Sequence, residues 1–449
     1  MRADLRLYAV LFAIGLAVFG VVAWDRAGKQ SPAPHFVYQA DAWLDGSLSI
    51  KPPLKGDDWA RVETVTLDDG SSVRGRRLRS RPMFRTLDGT EIPTTRVKTT
   101  TAQTPYMSFP PFPAVLMLPV AVISGRDGND TIPTLLLAAL VLPLTLLVLR
   151  RLADAGMSRR SVREDLWLVA ALAFGSVMFF SSVQGKVWFT AHVVGVVLAL
   201  VYAWASIEAK RPLIAGLALG AAALTRTPMA FMFPLFVLEV WRMAPVDDKR
   251  KAMLRPLVRF AIPVVCFAIA GMLYNYARFG SPTEFGHTYL DVRQQAQIEQ
   301  YGLFSYKYLS RNLAVAFTLL PELLPKSPHV QVGGHGLAMW FTTPLLLFVV
   351  WPREKPALHR ALWITIAAVA VPTLFYQNSG WFQFGYRFSL DYLVFLVMLI
   401  AIGGRPLGKV GKALVVFGIV VNLFGAITFD RKWQYYRGGG NAYDVVIAH

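Results

Sequence analysis

The chain has 449 residues, 54% of them hydrophobic and only 16% charged, with a mean hydropathy of +0.42. A soluble globular chain carries about 25% charged residues. Here the apolar residues gather into blocks such as 136–149 and 193–201, each followed by Arg or Lys. That pattern belongs to a multi-spanning membrane protein and excludes a free cytosolic enzyme, a fibrous chain and a disordered one. The net charge of +18 is explained by Lys and Arg collected in cytoplasmic loops before nucleic acid need be invoked.

The first apolar segment, 5–24, is longer than the roughly 7–15-residue core of a signal peptide, and no small-x-small site follows it. An uncleaved anchor is expected. Further spans are expected near 131–149, 166–183, 191–207, 212–226, 228–242, 258–276, 336–351, 361–376, 390–403 and 412–428, eleven in all. Several fall short of the roughly 20 residues of a straight span. The run 109–124 carries Pro110, Pro111, Pro113 and Pro119, and proline breaks a helix interior. Charge decides its placement. If it does not span, the cytoplasmic loops and N-terminus hold 21 basic residues, against Lys186, Arg226 and Arg387 in the short outer loops. If it spans, nearly all of that bias inverts. So 109–124 is read as a juxtamembrane or re-entrant segment outside, with the N-terminus inside.

This divides the chain into a first span (1–24), a first outer loop (25–130), spans two to seven (131–276), a second outer loop (277–335), spans eight to eleven (336–428) and an outer tail (429–449). The fold expected is an all-α polytopic membrane protein with juxtamembrane helices and a small β-ribbon in the first outer loop. The ribbon is signalled by Asp68-Asp69-Gly70 and Asp88-Gly89, each set between β-prone runs. Its arginines at 74, 76, 77, 79, 81 and 85 are either a solvated strand face or a contact for anionic lipid or glycan phosphate. Cys266, in an apolar run, is expected to be a small buried residue. One cysteine forms no internal disulfide, and no Cys/His cluster has metal-site spacing.

Polar residues at span ends are functional candidates by default. Phe36, Ala40, Trp43 and Leu44 fall at helical spacing, so 36–44 reads as an amphipathic helix lying on the membrane. Asp41 and Asp45 share one face of it, a pair suited to general-base work or simply facing water. Lys186 and His192 flank a tight outer turn. They suit a phosphate or a sugar hydroxyl, while the aromatics between them also fit an interfacial belt. Arg226 is the lone charge between two apolar runs, and needs an anion, an internal partner or a snorkelling path. Tyr274, Arg278, Glu284 and His287 mark the end of a span entering the second outer loop. Tyr386, Arg387 and Asp391 open a later span. Arg387 and Asp391 either pair with each other or leave the guanidinium fork for a phosphate.

Taken together, Asp41, Lys186, Arg226, Arg278 and Arg387 are expected on one outer face, with Asp45, His192, Tyr274, Glu284, His287, Tyr386 and Asp391 as substrate contacts. A carboxylate base with several cations suits displacement of a phosphate leaving group from an anomeric carbon. No Walker loop, dinucleotide fingerprint or HExxH is present, so a membrane-bound phosphate donor fits better than a nucleotide.

The order of these parts resembles the GT-C superfamily of integral-membrane glycosyltransferases, including the protein O-mannosyltransferase and lipid A glycosyltransferase group. The resemblance lies in one span, the acidic segment Tyr38-Gln39-Ala40-Asp41, the segment 110–119, and later Thr225-Arg226-Thr227-Pro228, 274–280 and Phe384-Gly385-Tyr386-Arg387. It implies an inverting transfer from a polyprenyl-phosphate sugar to a lipid, glycan or protein acceptor. The setting implied is the periplasmic face of a bacterial inner membrane, with Asp41 as base and Arg387, Arg278, Arg226 and Lys186 on the donor phosphate. The chain departs from the pattern twice. Ala42 follows Asp41 where many members carry Asp-Glu, and 184–192 has no second acidic residue. No cofactor is therefore expected, and a divalent metal is not supported. A flippase for lipid-linked saccharide and a non-catalytic envelope-glycan assembly protein are the alternatives. The former should show repeated halves and midplane charges, and neither is seen in the sequence.

Overall fold

The computed structural model describes residues 5–437 apart from 291 and 293. Residues 1–4 of the expected anchor and 438–449 of the expected tail lie outside the described residues. The chain opens with α1 (Leu5–Val22), α2 (Trp24–Ala27) and α3 (His35–Leu44). A sheet follows, formed by β1 (Trp59–Leu67), β2 (Ser72–Arg77), β3 (Met83–Thr86), β4 (Glu91–Pro93) and β5 (Val97–Met107). Then come α4 (Phe112–Ser124), α5 (Thr131–Asp154), α6 (Val162–Ala173), α7 (Met178–Ser182), α8 (Val187–Ser206), α9 (Pro212–Ala223), α10 (Pro234–Met243) and α11 (Lys249–Phe279). The second loop holds α12 (Gln295–Tyr301), α13 (Leu309–Phe317), β6 (Glu322–Leu323) and β7 (Val330–Gly333). The last part comprises α14 (Met339–Thr342), α15 (Leu347–Val350), α16 (Leu358–Leu374), α17 (Leu390–Ile402), α18 (Gly408–Thr428) and β8 (Tyr436–Arg437).

Five helical segments are long and apolar enough to cross a membrane: Leu5–Val22, Thr131–Asp154, Val187–Ala209, Val246–Phe279 and Gly408–Thr428. Eleven spans of full length are not found among the described residues. The other expected spans are shorter or broken. The stretch 166–183 is divided between α6 and α7 around Gly175, and 336–351 between α14 and α15 around Pro344. α4 has 13 residues, about 20 Å of helix, too short for a hydrocarbon core of about 30 Å.

Local chemistry accounts for several boundaries. Ser161 and Glu164 form a capping box at the start of α6. Pro212 sits at the first turn of α9, where its missing N–H is harmless. Gly216 lets α9 approach α11, since a Cβ there would lie 2.2 Å from the carbonyl oxygen of Phe260. The opposite face of α11 is bare: Leu254, Val258, Ile262, Val265, Ile269 and Leu273 are all exposed. So large an apolar stripe needs lipid against it. Cys266 lies among these residues and is exposed, because the helix turns it outward; the expectation of a buried cysteine is corrected.

The sheet is antiparallel in the order β4-β3-β2-β1-β5. Both Asp-Gly turns are present, with Gly70 and Gly89 at φ of 84° and 90°, a conformation glycine adopts without strain. The arginine run serves the fold. Arg76 pairs with Glu299 at 2.8 Å with both side chains buried, Arg77 pairs with Glu63, and Arg81 and Arg85 pair with Glu91. Glu299 also accepts the backbone N–H groups of Arg79 and Ser80. It thereby ties α12 to the sheet. Glu299→Gln is expected to loosen this junction by about 3 kcal/mol, the order of cost for breaking a buried pair. Hydrogen exchange of the amides of residues 76–80 should accelerate accordingly, and unchanged protection would refute the role.

α3 is not amphipathic in place. Residues 35–40 and Ala42 are all buried, because α4 packs on one side and the β1–β5 end of the sheet supplies Trp59 and Met107 on another.

Candidate functional site

A cavity of about 490 Å³ opens where the segment 57–58 with 108–110, the N-terminus of α8, the turn before Pro228, the segment 285–304 and the segment before α17 converge. Its size falls in the range of small-molecule sites, about 300–1,000 Å³. Among the expected residues, Lys186, Arg226, His287 and Arg387 line it. The walls between them are aromatic, notably Phe109, Trp188, Tyr376 and Phe388.

Arg387 is the most unusual group. Its side chain is nearly fully buried. Nη1 donates to the carbonyl oxygens of Gly380 (2.6 Å) and Phe382 (3.1 Å), while the buried Nε has no partner. No carboxylate pairs with it among the described residues. Burial lowers its pKa, with the Arg226 charge adding to the effect, yet a guanidinium remains cationic at neutral pH. A buried cation held by carbonyls and by the rings of Phe189 and Phe388, without an ion pair, leaves a local positive potential directed at whatever enters the cavity.

The expected Arg387–Asp391 pair does not form. Asp391 is turned into the helix bundle, where Arg226 grips it with two hydrogen bonds, Nε at 2.5 Å and Nη2 at 2.9 Å. His192 Nδ1 lies 3.3 Å from the same carboxylate. Arg226 is thus internally paired while still facing the cavity, and His192 and Asp391 stand behind the cavity wall. Lys186 pairs with Asp430 at 2.5 Å. His287 is edge-on to Tyr376 and Phe109, and burial lowers its pKa to about 4, so it is neutral.

Asp58 belongs to the same cavity lining with its neighbour Asp57, and its negative charge acts on Arg387, as does that of Asp391 behind the wall. The placement of Asp58 is over-determined. Trp188 Nε1 donates to Asp58 Oδ2 at 2.8 Å, and Ser108 Oγ donates to the Asp58 carbonyl at 2.6 Å. His35 Nε2 lies 2.6 Å from the Asp57 carbonyl, so that nitrogen carries the proton. The His35 ring stacks on Trp59 at 3.9 Å, and burial lowers its pKa to about 4. These contacts hold Asp58 at a φ of 66°, a region where a side chain is strained. Burial raises the Asp58 pKa above the ordinary carboxylate value, while the Trp188 hydrogen bond and the Arg387 charge pull the other way.

Asp41 does not share this cavity. With Asp45, it lines a separate pocket of about 110 Å³ beside Tyr38, Lys51 and Arg126. Asp45 pairs with Lys51 at 2.7 Å in the open. Both carboxylates lie at the C-terminal end of α3, past its fully buried stretch 35–40, and open into this pocket and not toward Arg226 and Arg387. Arg278 is also elsewhere. It is 1% exposed, donates to Met107 O (2.5 Å) and Asn275 Oδ1 (2.9 Å), and stacks on Tyr274. Tyr274 donates to Gln39. Glu284 accepts from the Gly286 amide and Thr288, closing a turn. Tyr386 is packed among Val315, Ala316, Leu319 and Phe388. The expected single face holding Asp41 and Arg278 with the other cations is therefore corrected.

Sequence reasoning missed Asp58, Trp188, Tyr376 and Asp430. One signal was available: Asp57-Asp58 is an adjacent acidic pair between α3 and β1. Among the described residues, no three metal-ligating side chains come together.

No family model matches the chain, and no curated protein matches it in sequence. Among solved structures, it is similar to the oligosaccharyltransferase of Archaeoglobus fulgidus in the apo form, at 11% identity and a TM-score of 0.42. It is similar in the same degree to the archaeal oligosaccharyltransferase AglB from that organism, in complex with an inhibitory peptide and a dolichol-phosphate. The likeness covers 97% of this chain but 57% and 56% of those chains, so the chain spans little more than half their length. These are weak likenesses.

Proposed function

We propose that this chain is a membrane glycosyltransferase of the GT-C type. It moves a sugar from a polyprenyl-phosphate donor to a cell-envelope acceptor on the periplasmic face, with Asp58 as general base. One observation carries the reading: Arg387, a buried guanidinium without a carboxylate, lines a cavity that also presents a carboxylate. A buried cation left unpaired is costly, and an anionic ligand removes that cost. Arg387 and the cavity-facing edge of Arg226 take the donor phosphate. Asp58 accepts the proton of an acceptor hydroxyl, whose oxygen attacks the anomeric carbon from the face opposite the phosphate. The bond from carbon to phosphate oxygen breaks, the electron pair leaves with the phosphate, and the two arginines stabilise that charge. The aromatic walls suit a sugar face or an isoprene unit.

The test uses purified protein in lipid with a panel of radiolabelled polyprenyl-phosphate sugars. Turnover of one donor, releasing polyprenyl phosphate, is the expected result. Folded protein that binds no donor, or moves a lipid-linked saccharide across a bilayer without cleaving it, would overturn the reading in favour of an assembly protein or a flippase.

A further inference from the structure

Beside Asp57 and Asp58, the cavity holds a third carboxylate, one that the scheme above does not use. Asp430 follows α18, lines the cavity, and meets Lys186 at 2.5 Å. The two side chains are 14% and 20% exposed. Of the cavity cations, Lys186 and Arg226 thus each have a carboxylate, but the two pairs are built differently. Asp391 is enclosed in the bundle and holds Arg226 through both oxygens. Asp430 stands on the cavity wall and holds Lys186 through one oxygen. An entering anion can meet both partners of the second pair, but only the arginine of the first, since Asp391 is not part of the lining.

Asp430 is also held in an unusual conformation, at a φ of 60°. The flanking chain imposes it. Arg26 Nη2 donates to the Phe429 carbonyl at 2.8 Å, and Arg431 pairs with Asp25 and donates to the Val22 carbonyl at 2.8 Å. Beyond these, Tyr436 and Thr428 share a hydrogen bond of 2.7 Å, and β8 pairs with β7. The carboxylate is therefore presented to Lys186 by a clamped segment.

We infer that Asp430 is a competing internal anion: it occupies Lys186 in the empty cavity, and the phosphate group of a ligand must take Lys186 from it. Asp430 then sets the affinity for phosphate and disfavours weaker anions, which cannot displace it. The phosphate ligand in this inference rests on the proposed function. The ammonium of Lys186 has three donors, so the transfer needs only a small movement of the lysine tip.

The decisive variant is Asp430→Asn, because asparagine tolerates the left-handed region and keeps the size. Asp430→Gly, free of strain there, serves as a second variant should the first not fold. Dissociation constants would be measured on full-length protein in lipid for a short isoprenyl phosphate, the matching isoprenol and inorganic phosphate. Removing the carboxylate should tighten isoprenyl phosphate about tenfold, of the order expected for a partly buried charge contact, and leave isoprenol unchanged. In a Lys186→Gln background the gain should vanish. A gain shared by inorganic phosphate would identify the phosphate group alone as sufficient, whereas a gain restricted to the lipid would identify the headgroup; both uphold the competition. Affinity changed less than about twofold, a gain that survives without Lys186, or an equal gain for isoprenol would overturn it. Wild-type protein that does not prefer isoprenyl phosphate to isoprenol would overturn the functional reading itself, so the two failures are distinct.

Discussion

Asp58→Asn is expected to lower transfer by about a thousandfold, the usual loss when a general base is removed, with donor affinity nearly unchanged. Asparagine keeps the shape and can still accept the hydrogen bond from Trp188 Nε1, now 2.8 Å from Oδ2. What it loses is the capacity to take a proton. Asp41→Asn should be close to wild type, since that side chain lines a different pocket. The pH profile offers an independent check. Burial raises the Asp58 pKa, and a base acts only when deprotonated. Activity should therefore fall as pH drops through a pKa raised above the ordinary value of an aspartate. Trp188→Phe removes a hydrogen bond that favours the charged form, so the acid limb should move to higher pH. An unshifted limb in Trp188→Phe, or an active Asp58→Asn, would place the base elsewhere.

Arg387→Lys is expected to weaken donor binding by tens- to a hundredfold, which corresponds to about 2–3 kcal/mol for hydrogen bonds to a charged group. The substitution keeps a cation but loses the planar fork. In the wild type, one arm of that fork is anchored by Gly380 O and Phe382 O while Nε remains free within the buried site. A lysine ammonium satisfying those carbonyls has no second arm for a phosphate. The loss should appear in the dissociation constant for isoprenyl phosphate, not for isoprenol, and the thermal midpoint should confirm that the fold survives. Equal losses for both ligands would mean that Arg387 is structural and that the cavity is not a phosphate site.

Some of this molecule was determined by the order of its residues alone. The apolar blocks, the two Asp-Gly hairpins and the helix-breaking prolines are local signals, because periodicity, turn conformation and ring geometry act over a few residues. They pointed to the apolar first helix and to the two hairpins of the ribbon, and they marked 109–124 as a segment apart, in which the structure places the short helix α4 with Pro119 inside it. They also singled out Lys186, Arg226, His287 and Arg387 as charges or rings at the ends of apolar runs. Only the tertiary structure decided which of these share a cavity. Asp391 lies four residues from Arg387 yet pairs with Arg226, 165 positions away in the chain. Asp41 matches a motif, yet it lies at the C-terminal end of α3 and opens into a separate pocket. Asp58 reaches the cavity because Ser108, Trp188 and His35 hold a strained backbone in place. Side-chain direction depends on the rotation of an element about its axis, and that rotation is set by contacts between distant segments. No local pattern encodes it.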